Sequence, residues 1–206
     1  MSTFDENRLQ KVKRYLDLYG FNEAHIDVVT SLELNPSANL PYHNSQHCIT
    51  TAIHACEAGR YYTSNSLDKK NGLLLLAGLY HDFNHSNGRH NDTINVSRAA
   101  TEMVDIMTTI EQGLSDEDIN TIAQLIITTE HPSRVEPANM LEKIMRDSDK
   151  LQWTEPDFDR WAEGLTEEIG RTVDLDTTIK FLSEQTIHTG YARKKLFSAQ
   201  LAKQEW

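Results

Sequence analysis

Leu73-Leu74-Leu75-Leu76-Ala77-Gly78-Leu79-Tyr80 is the longest apolar run of the chain, and His81 and Asp82 follow it directly. A helix that is apolar on every side must lie inside a protein, so this run predicts a central buried helix. The run is also far too short to span a membrane. An aspartate in this position carries a large desolvation cost unless it binds a cation or the helix reaches the surface there.

The apolar residues elsewhere recur at helical rather than strand spacing. Stripes of this kind begin at Leu9 and His47, and Ser115 with Asp118 forms a capping-box pattern ahead of another. Further helices are predicted over 22–34, 138–153, 156–171, 176–188 and 192–203, and a turn is predicted over 36–41. No segment has convincing strand periodicity, so the predicted fold class is all-α.

Composition limits the kind of protein this is. The chain has 206 residues, of which 38% are hydrophobic and 25% charged, and this predicts a single domain over 1–206. The net charge of -11 gives no general attraction to a nucleic-acid polymer or an anionic membrane. Cys48 and Cys56 are too far apart on one helix for a disulfide. With a polar N-terminus, these features predict a cytoplasmic protein.

Two further segments carry side chains that bind divalent metals. In Tyr42-His43-Asn44-Ser45-Gln46-His47 the two imidazoles would share one face if the segment were helical. An isolated pair at this spacing is more often a solvated helix start. In Arg146-Asp147-Ser148-Asp149 only one aspartate is expected to point inward, and periodicity does not decide which one.

Taken together and in this order, these segments resemble the HD superfamily of metal-dependent phosphohydrolases. The resemblance covers about 41–153 and implies a helical bundle. It assigns Asp149 rather than Asp147 as the last metal ligand, because that ligand usually follows a small residue and stands two residues before a leucine. It implies one or two divalent ions (Zn, Mn, Mg, Fe or Ni) and four ligands, His47, His81, Asp82 and Asp149.

Within the superfamily, 42–47 looks like the Tyr-His-Asn-x-x-His motif of cyclic-nucleotide phosphodiesterases, and 81–85 looks like their His-Asp-x-x-His. This resemblance implies that His43 is the general acid and that Asp82 can bridge two metals. His85 stands four residues after His81 and is expected to share its helical face, which makes it a candidate catalytic residue that supports the metal site or interacts with a phosphate. A surface residue of the polar loop 84–91 is the alternative. The segment 128–130 is similar to their Ala-Thr-Asp, although an ordinary helix C-terminus is the simpler interpretation. The expected partner is a small phosphate ester, a nucleotide, and a homo-oligomer is compatible with the sequence.

Three alternatives remain open. The purine-clamping Gln and Phe of the phosphodiesterases are not found, and the spacing from Asp82 to Asp149 is closer to bacterial 5′-(deoxy)nucleotidases. Those enzymes, however, commonly have Glu at the position of His85. A di-iron oxygenase of the HD type would need another ligand, from His131 or His90. A domain that binds a nucleotide without turnover is the non-enzymatic alternative.

The C-terminal region, 154–206, has no recognisable chemical motif. Its helical spacing of Trp153, Phe158, Trp161 and Leu165 indicates core or subunit packing. His54 is interpreted as a packing or surface histidine.

Overall fold

The computed structural model describes residues 5–21, 25–63, 68–110 and 114–204. As predicted, the described chain is all-α and contains no strand in these ranges. Its helices are α1 (Glu6–Leu18), α2 (His25–Glu33), α3 (Ser45–Tyr62), α4 (Lys69–Tyr80), α5 (Asp92–Thr109), α6 (Asp116–Ile127), α7 (Met140–Asp149), a 3-10 helix (Lys150–Thr154), α8 (Phe158–Ile169), α9 (Leu175–Ser183) and α10 (Gly190–Gln204).

Helix α4 is the buried centre of the main core, as its apolar run predicts. Every residue from 73 to 80 is buried, and α4 packs closely along α3. A Cβ atom at Gly78 would collide with the backbone of Ala52, so glycine is needed for the two helices to approach this closely. The approach brings His47, in the first turn of α3, beside His81 at the end of α4.

Asn44 determines how the chain enters α3. Its side chain accepts a hydrogen bond from the backbone N–H of His47 and donates to the carbonyls of Leu40 and Pro41. Asn44 is thus an N-cap that ends the predicted turn and starts the helix. His43 precedes the cap, so the two histidines do not lie on one helical face. Their rings are instead perpendicular, with centroids 5.9 Å apart.

Asp147 and Asp149 point to different parts of the molecule. Asp147 is buried in α7, and its carboxylate accepts backbone N–H groups of His188 at 3.1 Å and Thr189 at 2.7 Å. These bonds fasten the start of α10. Asp149 is the last residue of α7 and faces the histidines, as the resemblance implied. The predicted helix over 138–153 therefore splits into α7 and the 3-10 helix.

The C-terminal helices pack onto the rest of the molecule through a second apolar cluster. This cluster contains Tyr42, Trp153, Phe158, Trp161 and Ala162, with Leu165 packed against it. The packing role predicted for the aromatic residues of this region is thus confirmed. The cluster fixes α8 beside the 42–47 segment, which matters for the site below.

Some predicted boundaries differ from those observed. Helix α5 was not predicted, because small and polar residues such as Asn95, Ala99 and Ala100 form much of its buried face. The predicted start at 22 lies outside the described residues, and α9 ends at Ser183 rather than at 188. Both cysteines are free and buried, and His54 is buried, as expected. In the described part of the chain, no helix has the length and apolar character required to cross a membrane.

Candidate metal centre

Four side chains converge between α3, α4 and the end of α7. The Nε2 atoms of His47 and His81 lie 3.0 Å apart. Oδ2 of Asp82 is 3.1 Å from each of these nitrogens, and Oδ1 of Asp149 is 3.1 Å from His47 and 3.3 Å from His81. Ligands at right angles on bonds of about 2.1 Å lie about 3 Å apart, so each carboxylate is at a distance from the two imidazoles that suits a shared ion. The donor atoms of His47, His81 and Asp149 all lie within 4.8 Å of one another, and Asp82 adds an oxygen beside both imidazoles.

The outer hydrogen bonds orient both imidazoles toward the same point. Nδ1 of His81 donates to the carbonyl of Gly78 at 2.8 Å, and Nδ1 of His47 donates to Oε1 of Gln152. In the neutral rings, Nε2 then carries the lone pair that a metal requires. Two lone pairs and two carboxylate oxygens therefore face one another, an arrangement that a divalent cation stabilises.

The charges of the centre point to the same conclusion. Burial lowers the pKa of His47, but hydrogen bonds with Asp149 and Asp82 outweigh this effect and raise it to about 10. Burial raises the pKa of Asp149, yet its bonds to His47 and His81 bring the net pKa well below the usual value. The pKa of Asp82 is lowered as well, so the carboxylates of Asp82 and Asp149 are both ionised. Protons and a metal ion therefore compete for the imidazoles of His47 and His81. The donor set fits a divalent ion.

The backbone at Asp82 is held by contacts with the predicted turn, and sequence reasoning missed these contacts. The hydroxyl of Ser37 donates to the Asp82 carbonyl at 3.1 Å, and Oδ1 of Asn35 accepts the Asn84 N–H at 2.8 Å. Asn84 has a positive φ of 57°, which asparagine tolerates better than most residues. The segment that contains the predicted turn at 36–41 therefore supports the backbone at Asp82 and Asn84 as well as leading into α3.

Glu168 of α8 binds His43 on the other side of the site. Its Oε2 accepts from Nδ1 of His43 at 2.6 Å, and its Oε1 accepts the backbone N–H groups of Tyr42 at 2.6 Å and His43 at 2.8 Å. A Cβ at Gly164, one turn earlier, would collide with the Pro41 carbonyl, so this glycine allows α8 to approach. Sequence reasoning missed Glu168, which resembles an ordinary solvated acid of an amphipathic helix.

His85 stacks on His43. The two ring centroids are 3.9 Å apart with an interplanar angle of 22°. Nε2 of His85 accepts from the Asn95 amide at 2.9 Å. Burial, followed by repulsion from His43, lowers the pKa of His85 to about 4, so its ring is neutral at physiological pH. His85 does not lie on a shared helical face with His81, because α4 ends at Tyr80.

His43, His85 and Glu168 also place donor atoms within 4.8 Å of one another. This second group suits a metal poorly. Both Glu168 oxygens already accept hydrogen bonds, and an ion shared by two stacked rings would lie outside their planes. We interpret the group as a hydrogen-bonded His43–Glu168 pair with His85 stacked on the His43 ring.

The remaining candidates lie around the centre rather than in it. The Glu130 carboxylate accepts a hydrogen bond from the Thr93 hydroxyl and forms an ion pair with Arg134, whose Nε lies 2.8 Å away. The ring of His131 packs on Phe181, and His90 is exposed. Neither histidine belongs to a group of candidate metal donors among the described residues.

A cavity of about 650 Å³ joins the two halves of the site. Asp82 and Asp149 line it on the side of the candidate metal centre, and His43 and His85 line it on the side of the His43–Glu168 pair. The volume suits a small ligand of nucleotide size. Fold and site together define an all-α protein with a candidate His/Asp metal centre that opens to a cavity of about 650 Å³.

Comparison with known families identifies this class. The family model of the HD domain matches residues 44–154, more than half of the chain. The chain therefore belongs to the HD domain family of metal-dependent phosphohydrolases. No curated protein matches it significantly.

Proposed function

We propose that this protein is a phosphodiesterase that hydrolyses a cyclic nucleotide or a related small phosphodiester. The observation that supports this most directly is the His43–Glu168 pair beside the metal centre, with Nδ1 and Oε2 at 2.6 Å. Hydrolysis of an alkyl phosphodiester releases a poor leaving group, which needs a proton donor.

We propose that His47, His81, Asp82 and Asp149 hold the divalent metal. When bound there, a divalent ion lowers the pKa of a coordinated water toward neutrality and neutralises phosphate oxygens. The residues that would hold the ion lie at the edge of the cavity, which Asp82 and Asp149 line.

His43 supplies the proton for the leaving group. Its Nδ1 is bound to Glu168, so Nε2 is the nitrogen available to the cavity. His43 transfers the Nε2 proton to the departing alkoxide, while Glu168 holds the ring and its tautomer. His85 is neutral and lies flat against His43, so it limits the ring to one orientation and adds no charge to the phosphate.

A 5′-(deoxy)nucleotidase is the second candidate. The shorter spacing between Asp82 and Asp149 favours it, and a nucleotide monophosphate would fit a cavity of about 650 Å³. Its leaving nucleoside would need the same proton from His43. The di-iron oxygenase has less support, since His131 and His90 are separate from the donor groups.

A leaving-group comparison tests the proposal. Purified protein with Mn²⁺ is assayed against cyclic nucleotides, cyclic dinucleotides, nucleoside monophosphates and bis-p-nitrophenyl phosphate. We expect hydrolysis of a cyclic phosphodiester that falls by roughly 10²- to 10⁴-fold in His43→Ala. The nitrophenyl ester, whose leaving group needs no proton, should lose much less.

Two results would contradict the phosphodiesterase assignment, and a third would contradict the role of His43. Release of phosphate from monophosphates alone would select the nucleotidase. An equal loss on both kinds of diester in His43→Ala would remove the general-acid role of His43. Inactivity of the metal-loaded protein on the whole panel would favour the oxygenase or the binding domain.

A further inference from the structure

The cavity has a cationic wall that the metal centre does not use. Arg171, between α8 and α9, and Lys180, in α9, both line the cavity. Both are exposed, and neither forms an ion pair or side-chain hydrogen bond with any residue that the structure describes. Both lie outside the part of the chain matched by the HD domain model, 44–154.

The wall around the two cations combines apolar side chains with a buried hydroxyl group, a combination typical of ligand-binding sites. Ile169, Val173 and Phe181 contribute apolar surface to the same wall. Thr178 also lines the cavity and is only 4% exposed, and its Oγ1 has no hydrogen-bond partner among the described residues. A buried hydroxyl without a partner is costly unless a ligand or water binds it.

Apart from these two cations, the charged side chains around the cavity are mainly acidic. Apart from the metal ligands, Asp92 and Glu184 line the cavity, and the whole chain carries a net charge of -11. Lys150 also lines it, but its ammonium donates to the Arg146 carbonyl at 2.9 Å. Arg171 and Lys180 are therefore the cations left free to meet a ligand in this part of the described chain.

We propose that Arg171 and Lys180 form a second anion-binding site, which recognises a phosphate group of the substrate other than the one hydrolysed. The inference rests on the proposed function and narrows its substrate to a small phosphate ester that carries two phosphate groups. A guanidinium binds phosphate through paired hydrogen bonds, and an ammonium adds a point charge. The apolar part of the substrate lies against Phe181, whose ring is held by His131 at a centroid distance of 5.3 Å.

Non-hydrolysable ligands test this site without any need for turnover. Alkyl bisphosphonates of increasing chain length are compared with the alkyl monophosphonate of the same length, by calorimetry on Mn²⁺-loaded protein. We expect at least one bisphosphonate to bind about tenfold to hundredfold more tightly than its monophosphonate. The double variant Arg171→Ala/Lys180→Ala should lose this preference while keeping its metal.

The control is Lys70→Ala/Lys194→Ala, which removes the same charge from two exposed lysines that do not line the cavity. It should keep the preference, since only the general electrostatic field changes. Absence of a preference at every chain length, or a preference that survives in Arg171→Ala/Lys180→Ala, would overturn the second site. The proposed function is judged separately, by hydrolysis of bis-p-nitrophenyl phosphate in the same samples.

Discussion

Glu168 holds His43 from a helix 125 residues away, with Oε2 at 2.6 Å from Nδ1. Its other oxygen fixes the backbone of Tyr42 and His43. Residues of the family-matched part provide the metal centre, whereas α8, beyond that part, provides the partner of the candidate acid. The C-terminal helices are thus part of the site as well as of the packing.

Glu168→Gln should lower turnover on cyclic phosphodiesters by about 10- to 100-fold, because the ring of His43 loses the carboxylate that orients it. The metal content should not change. The exposed neighbour Glu167 gives a matched control, and Glu167→Gln should retain full activity. A positioning role also predicts an altered pH–rate profile, so equal activity and equal profiles in the two variants would refute it.

Substitution of Asp149 should affect metal binding, whereas substitution of Asp147 should affect stability. Asp149→Ala should lose bound metal, as measured by elemental analysis after dialysis. Asp147→Ala should keep the metal but reduce the free energy of unfolding by about 1–3 kcal/mol, because two backbone N–H groups at the start of α10 lose their acceptor. Loss of metal in both variants with equal stability would show that the assignment between the two aspartates is wrong.

Gly78→Ala should weaken metal binding through packing alone. The added methyl group meets the backbone of Ala52, so α3 and α4 must separate. The free energy of unfolding should fall by about 1–3 kcal/mol. Gly72→Ala, in the same helix, has side-chain atoms of Tyr19 and Phe21 rather than backbone as its nearest contacts, and it serves as the control. Calorimetric titration with Mn²⁺ should show weaker binding in Gly78→Ala than in Gly72→Ala, and equal affinities would contradict this prediction.

His85 should make stability depend on pH. Its pKa falls from 6.5 to about 4 on folding, so between these values the unfolded chain binds a proton that the folded protein does not. Stability should therefore decrease as pH falls through this window, by on the order of 2 kcal/mol. His85→Asn should remove that part of the decrease. Urea unfolding across the window measures it, and identical slopes in both proteins would contradict the lowered pKa.

The convergence of the four predicted ligands could be anticipated from the sequence for a physical reason. His47, His81, Asp82 and Asp149 are of the few residue types that bind divalent metals, and Asp82 follows an apolar helix that makes an unpaired charge costly. The main helices follow from apolar periodicity in the same way. These features are local and chemically unusual, so they stand out in one chain.

The supporting residues could not be predicted because their chemistry is common. Glu168 is one acid of an acidic helix, and Gln152, Asn35 and Ser37 are ordinary polar residues until folding brings them to His47 and Asp82. Helix α5 was missed for a related reason, since small and polar side chains at its buried face reduce the apolar contrast. Contacts between distant segments decide these roles, and spacing along the chain carries no signal for them.

We propose above all that His47, His81, Asp82 and Asp149 hold the metal that supports phosphate-ester hydrolysis. Metal-free protein is titrated with Mn²⁺ while bound metal and hydrolysis of bis-p-nitrophenyl phosphate are measured together, in wild type and Asp82→Ala. We predict that hydrolysis rises in proportion to bound metal in the wild type and that Asp82→Ala neither binds metal nor hydrolyses the ester. Hydrolysis independent of bound metal, or full activity in Asp82→Ala, would contradict the claim.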